Sequence, residues 1–191
     1  MKIIGTGSAL PKKVVTNDML SEFLDTSDEW ITTRTGIKTR HIITDERFED
    51  LAIEASARAI DAAGLCPDDI DYIICSNVSN LYVTPHLSSI IQGGLGIKGP
   101  NCPTMDVNVA CVGFDLCDAL LATGRAKNIL LVAAEECTRF CDWTDRNCSV
   151  LFGDGAGAVV LTKGESLLAH KLTSTPMRDV IVYRNPMEAT P

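Results

Sequence analysis

Cys111 is the residue best placed for chemistry in this chain of 191 residues. It stands in Asp106-Val107-Asn108-Val109-Ala110-Cys111-Val112-Gly113-Phe114, where a β-type run over 104–109 gives way to a helical pattern through Leu116, Leu120 and Leu121. A cysteine at such a junction lies near the N-terminus of a helix. Unpaired backbone N–H groups and the positive end of the helix dipole there favour a thiolate over a thiol. That placement can lower a cysteine pKa well below the free value of about 8.5 and make a nucleophile of the sulfur. The competing reading is a buried core cysteine, because free Cys is among the most buried residue types. The junction alone leaves both open.

Other chemically capable residues give weaker signals. Cys137, Cys141 and Cys148 are close in sequence, but none forms a C-x-x-C pair and no second cluster follows, so no metal site is expected from the usual ligand spacings. Phe152-Gly153-Asp154-Gly155-Ala156-Gly157 is neither G-x-G-x-x-G nor followed by Lys-Ser/Thr. Its glycines are assigned to the geometry of a turn, not to a phosphate loop. The histidines are three, His41, His86 and His170.

The elements that must position these residues alternate. Residues 2–7 read as a short buried strand, and 17–24 as a helix capped by Thr16 or Asn17. Residues 25–30 read as a polar turn or helix start, and 34–43 as polar and extended. An amphipathic helix is predicted over 48–63, stopped by Gly64. Residues 70–75 form an apolar strand, and 85–95 a helix opened by Pro85. The Cys111 unit then supplies a strand and a helix to about residue 123. Residues 128–134 form a buried strand, the Gly-rich turn follows, and 158–162 form a last strand. Alternation with continuous apolar strands predicts an α/β fold: a mixed, mostly parallel sheet with helices on both faces. One unit is expected over 1–165. The segment 166–191, with Pro176, Pro186 and Pro191, reads as a connector.

The net charge of −8 argues against nucleic acid as a partner, because phosphate backbones demand a basic surface. No apolar stretch is long enough to span a bilayer, and the N-terminus lacks the apolar region of a signal peptide. The eight cysteines are therefore expected to be free thiols in a reducing cytoplasm.

Taken together, several segments resemble the N-terminal half of β-ketoacyl-acyl carrier protein synthase III, a thiolase-fold condensing enzyme family. They are Ile4-Gly5-Thr6-Gly7-Ser8, Asp25-Thr26-Ser27-Asp28-Glu29-Trp30-Ile31, Thr33-Arg34-Thr35-Gly36-Ile37, Arg40-His41-Ile42, Leu95-Gly96-Ile97-Lys98-Gly99, Ala110-Cys111-Val112-Gly113-Phe114, Thr144-Asp145-Arg146 and Phe152-Gly153-Asp154-Gly155-Ala156-Gly157-Ala158. The resemblance implies one of two similar α/β halves packed in five layers. It implies transfer of an acyl group from acyl-CoA to Cys111, then condensation with malonyl-acyl carrier protein. Acyl-CoA is a substrate here, and no resident cofactor or metal is implied. Trp30 and Arg146 match positions that sandwich the CoA adenine. Thr26 matches a polar contact to that base, and Arg34 a position near the CoA phosphates. A homodimer joined near the strand before Cys111 is also implied.

The chain departs from the family at informative places. Nothing after residue 162 matches the histidine and asparagine motifs that promote decarboxylation, so a complementary C-terminal half is expected to supply them. Val112 stands where the family usually has Ala or Ser, and Thr84 where many members place an aromatic that reaches the partner's acyl pocket. Phe152 matches a phenylalanine close to the cysteine. These three bear on acyl specificity. The alternatives are a non-catalytic thiolase-fold module that binds CoA or assembles with a partner, transfer to another acceptor, or hydroxymethylglutaryl-CoA-synthase-like chemistry.

Overall fold

A computed structural model describes residues 1–109 and 112–177. The strands are β1 (Lys2–Ala9), β2 (Lys13–Thr16), β3 (Thr39–Ile42), β4 (Tyr72–Ser76), β5 (Thr104–Val107), β6 (Asn128–Glu136) and β7 (Asp154–Thr162). The α-helices are α1 (Asn17–Ser21), α2 (Asp28–Thr35), α3 (Phe48–Ala62), α4 (Leu87–Gly94), α5 (Gly113–Ala122) and α6 (Arg146–Ser149). Five strands form one sheet in the order β1-β7-β6-β4-β5, and β2 pairs with β3 separately. The β4–β5 and β4–β6 ladders are parallel, whereas β7 runs antiparallel to both neighbours. Four strands therefore point one way and β7 alone opposes them, a mixed and mostly parallel sheet.

Side chains alternate across this sheet, so its central strands bury both faces. Ile73, Cys75, Leu130 and Val132 join the core beneath α3 and α4, while Ile74, Ile129 and Leu131 join the core beneath α5. Each fully buried Ile or Leu contributes about 1.5–3 kcal/mol. A small third core, built on Val15, Leu20, Leu24, Ile31 and Val150, unites β2, α1, α2 and the end of α6.

Helix α3 has the apolar spacing expected of it, and its inner face is small. A Cβ added at Gly5 would lie 2.2 Å from the Ala59 carbonyl oxygen, and one at Gly7 would lie 2.2 Å from that of Ala55. Glycine in β1 and alanine in α3 thus let strand and helix backbones touch.

Several boundaries differ from expectation. β1 is an edge strand in which Gly5 and Ala9 are buried and Ile3 is exposed, because among the described strands it pairs only with β7. The expected Gly-rich turn is largely strand: β7 begins at Asp154, and Gly155 and Gly157 pair with Glu135 and Ala133 of β6. The long ladder to β6 overrides the turn signal of the glycines. α1 ends at Ser21, with Thr16 as its cap. Arg34 and Thr35 are the last turn of α2, not extended chain. α4 starts at Leu87, after Pro85, because the Asp106 carboxylate accepts the Leu87 and Ser88 N–H groups at 2.7 and 2.9 Å. Residues 163–177 contain no helix or strand.

Candidate active site

Cys111 lies outside the described residues, but the elements that flank it do not. β5 ends at Val107, two residues earlier than expected. The Val109 carbonyl accepts from Ser76 Oγ at 3.3 Å. Val112 caps α5 without a side-chain hydrogen bond, so the first N–H groups of this helix keep no intrahelical partner. Gly113 lets the helix start lie against the sheet: a Cβ there would meet Leu131 Cδ1 at 2.6 Å.

The carboxyl ends of β4, β5 and β6 meet beside this segment, the end of a parallel array where open α/β sheets bind ligands. Asn77 Nδ2 donates to Asp106 at 2.9 Å. Glu135, at the end of β6, accepts from the Val78 N–H at 3.0 Å and from Ser79 Oγ at 2.5 Å. Burial raises the Glu135 pKa, and those donors oppose the rise. A cleft of about 280 Å³ opens on the α5 side and is lined by Thr6, Ser76, Phe114, Leu131, Ala133 and Val159 among others. Val112, Phe152 and Thr84 are not part of its lining. Phe152 is 41% exposed just before β7, and Thr84 is exposed in the loop before α4.

A second cluster forms where α2 meets α6. Ser27 caps α2 by accepting the Trp30 N–H at 3.1 Å. The Arg34 guanidinium, one turn on, lies 4.3 Å from the Trp30 ring centroid, and that of Arg146 lies 4.8 Å from it. Both distances are within cation–π range. Arg146 Nη1 donates to the Asp25 carbonyl at 2.6 Å. Its 3.6 Å ion pair with the exposed Asp25 carboxylate adds little in solvent. The adjacent Thr26 hydroxyl oxygen is buried without a hydrogen-bond partner among the described residues. The structure therefore brings Thr26, Trp30, Arg34 and Arg146 to one place.

The seven described cysteines are free. Burial pushes Cys102 and Cys137 up to about 11 and Cys117 up to about 12. Burial, then the neighbouring Cys148 thiol, pushes Cys141 up to about 12. Burial also raises Cys75 strongly. Among the described residues, no group of three or more His, Cys, Asp or Glu side chains is arranged to hold a metal, and no helix is long and apolar enough to cross a membrane. His41 Nδ1 contacts the Pro11 carbonyl at 2.6 Å, His86 Nε2 contacts Thr104 Oγ1 at 2.9 Å, and His170 lies 3.4 Å from Asp115.

Comparison with known proteins gives this geometry a context. The family described as 3-Oxoacyl-[acyl-carrier-protein (ACP)] synthase III matches residues 105–176. The beta-ketoacyl-[acyl-carrier-protein] synthase III of Xanthomonas axonopodis pv. citri is 49% identical over 169 residues, 86% of this chain and 51% of that protein. This chain belongs to the synthase III family. The crystal structure of the 3-oxoacyl-[acyl-carrier-protein] synthase III from Aquifex aeolicus VF5 superposes with a TM-score of 0.82 at 43% identity, covering 86% of this chain and 54% of that one. The priming beta-ketosynthase of the R1128 polyketide pathway gives 0.78 at 37% identity, covering 85% and 50%. The fold is thus that of the thiolase-like synthases III, and the chain spans about half the length of the curated relatives it matches. The segment matched by the family holds Cys111, Val112, Arg146 and Phe152, while Thr26, Trp30, Arg34 and Thr84 precede it.

Sequence reasoning missed Arg40, Asn17 and Glu135, which are polar or charged groups folded inward. Arg40 and Asn17 lie in or beside short β segments whose apolar content is too low to mark them as buried.

Proposed function

We propose that this chain is the N-terminal half of a condensing enzyme that initiates fatty acid or related polyketide synthesis. An acyl group passes from acyl-CoA to Cys111 and is then condensed with malonyl-acyl carrier protein. In the first step the Cys111 thiolate attacks the thioester carbonyl, an S–C bond forms, and the CoA thiolate leaves. Backbone N–H groups at the start of α5 would hold the oxyanion, preorganised by the close seat of Gly113 on Leu131. The raised pKa values of Cys75, Cys102, Cys117, Cys137 and Cys141 keep those sulfurs protonated and leave them poor nucleophiles.

The observation that carries this reading is the joining of Trp30 and two guanidiniums on one surface of a synthase III chain, beside the buried Thr26 hydroxyl. An indole face stacks on adenine, the hydroxyl supplies a hydrogen bond to the base, and guanidiniums suit phosphate oxygens. Two stacked van der Waals contacts need roughly 7 Å between Trp30 and Arg146. The Arg146 guanidinium therefore swings outward from its 4.8 Å contact to admit the base. Val112, Phe152 and Thr84 are assigned to acyl selection.

A complementary C-terminal half supplies the histidine and asparagine for decarboxylation, and the α5 side of the sheet is the face it covers. The outer edge of β5, which no strand among the described residues pairs, supports a homodimer joined there. Incubation with acetyl-CoA, with the complementary half present, followed by peptide mass spectrometry should find acetyl on Cys111 and none after Cys111→Ala. Acylation that survives Cys111→Ala overturns the assignment. CoA binding without any acylation points instead to a non-catalytic CoA-binding module.

A further inference from the structure

Arg40 is 5% exposed, yet among the described residues all the acceptors of its guanidinium are neutral. Nη1 donates to the Val15 carbonyl at 3.3 Å, and Nη2 to Asn17 Oδ1 at 2.8 Å and to the Val150 carbonyl at 3.4 Å. Its Nε is buried without a hydrogen-bond partner among the described residues. A buried cation without a carboxylate is costly, and well-packed apolar residues of similar volume often serve stability as well or better. Stability alone is therefore a poor account of Arg40.

What it joins supplies a better one. Val150 is the C-cap of α6, whose first residue is Arg146. Asn17, 1% exposed, passes the connection on: its Nδ2 donates to Asp28 Oδ1 at 2.8 Å and to the Ile37 carbonyl at 2.7 Å. Asp28 opens α2, and Ile37 follows the Gly36 that ends it. One amide thus clasps both ends of the eight-residue helix that carries Trp30 and Arg34. The same amide is held by the guanidinium that is bonded to the end of α6. A directional chain, α6–Arg40–Asn17–α2, spans the gap between the two sides of the cluster. Lysine cannot reproduce it, because the planar fork reaches three acceptors in fixed directions.

We infer that Arg40 and Asn17 are positioning residues that set the separation of Trp30 from Arg146 and thereby the affinity for the nucleotide end of CoA. This rests on the reading of those two residues as the adenine clamp. Neither Arg40 nor Asn17 needs to touch the ligand, since each acts through the element it holds.

The test is a double-mutant cycle on the whole chain, read by calorimetric titration with coenzyme A and by thermal melting. Arg40→Lys should weaken CoA binding on the order of 10-fold, within the span of measured couplings between connected residues. In a Trp30→Ala background the same change should cost nothing further, because the clamp it positions is already lost. Asn17→Ser should behave likewise and carries the test should Arg40→Lys fail to fold. A merely structural role predicts additive losses in the cycle, and additivity overturns the inference while leaving the clamp intact. Unchanged CoA affinity in Trp30→Ala alone overturns the clamp, and this inference with it.

Discussion

Trp30 is half-buried and carries two guanidiniums on one ring, so a base stacks there only as a guanidinium moves aside. Trp30→Ala should weaken CoA binding by about 1–3 kcal/mol, the range for loss of base–aromatic stacking. Arg146→Ala should weaken it as well, while far-ultraviolet circular dichroism stays unchanged, since the Arg146 guanidinium binds the exposed Asp25 and the Trp30 ring and not a buried core. Equal affinities for wild type and both variants would remove the clamp from the proposal. Neither Trp30 nor Arg146 announces this in sequence. Alone, an indole reads as core and a guanidinium as solvated charge, and only the resemblance paired them before the structure placed them 4.8 Å apart.

At the scale of elements, the β1–α3 contact is the tightest constraint. Gly5→Ala would push a methyl against the Ala59 carbonyl oxygen, a backbone atom that cannot rotate away. The strand and helix must separate, at a cost of about 1–3 kcal/mol, seen as a lowered melting temperature. A variant as stable as wild type would mean that β1 shifts freely as an edge strand. A second element-level prediction concerns the loop before α3. The Glu46 carboxylate accepts the Lys12 and Thr44 N–H groups at 2.8 and 3.2 Å. The Lys12 N–H, first among several backbone donors, holds its pKa at about 2 against an ordinary 4.5. A pKa depressed in the folded state favours folding above about pH 4.5 and loses that contribution as pH falls toward about 2. Carboxyl chemical shifts should show Glu46 titrating near 2, and an ordinary midpoint would show that the carboxylate does not tie this loop to β2.

At the scale of the molecule, the sheet is covered unevenly. α3 and α4 close one face, whereas on the other α5 covers the central strands and leaves the cleft toward β1 and β7. Phe114, 41% exposed, lines that cleft and also an adjoining hollow that holds Ile3, 51% exposed. An apolar surface of this kind invites association, so light scattering of the chain alone should report dimers or larger species at micromolar concentration, and a stable monomer would contradict this. The chain by itself should also fail to condense acetyl groups with malonyl-acyl carrier protein. Losing one oxyanion-type donor costs about 100- to 1000-fold, and here a histidine, an asparagine and the facing wall would be supplied from elsewhere. Assay of β-ketoacyl formation with and without the complementary half checks this. Normal turnover by residues 1–191 alone would assign decarboxylation to a group within them.

The sequence by itself determined the α/β class, the amphipathic α3, the buried β4 and β6, and the strand-to-helix change around Cys111. Each of these is a local periodicity, and periodicity reports which faces are buried. It could not place β7 between β1 and β6, because glycines that mark a turn locally were overruled by a ladder of nine paired residues with a strand some 25 positions earlier. Nor could it bury Arg40 or join α2 to α6, since those depend on hydrogen bonds between segments up to 121 residues apart. Tertiary structure decided these points because a polar group goes inside only where distant backbone carbonyls and amides arrive to satisfy it.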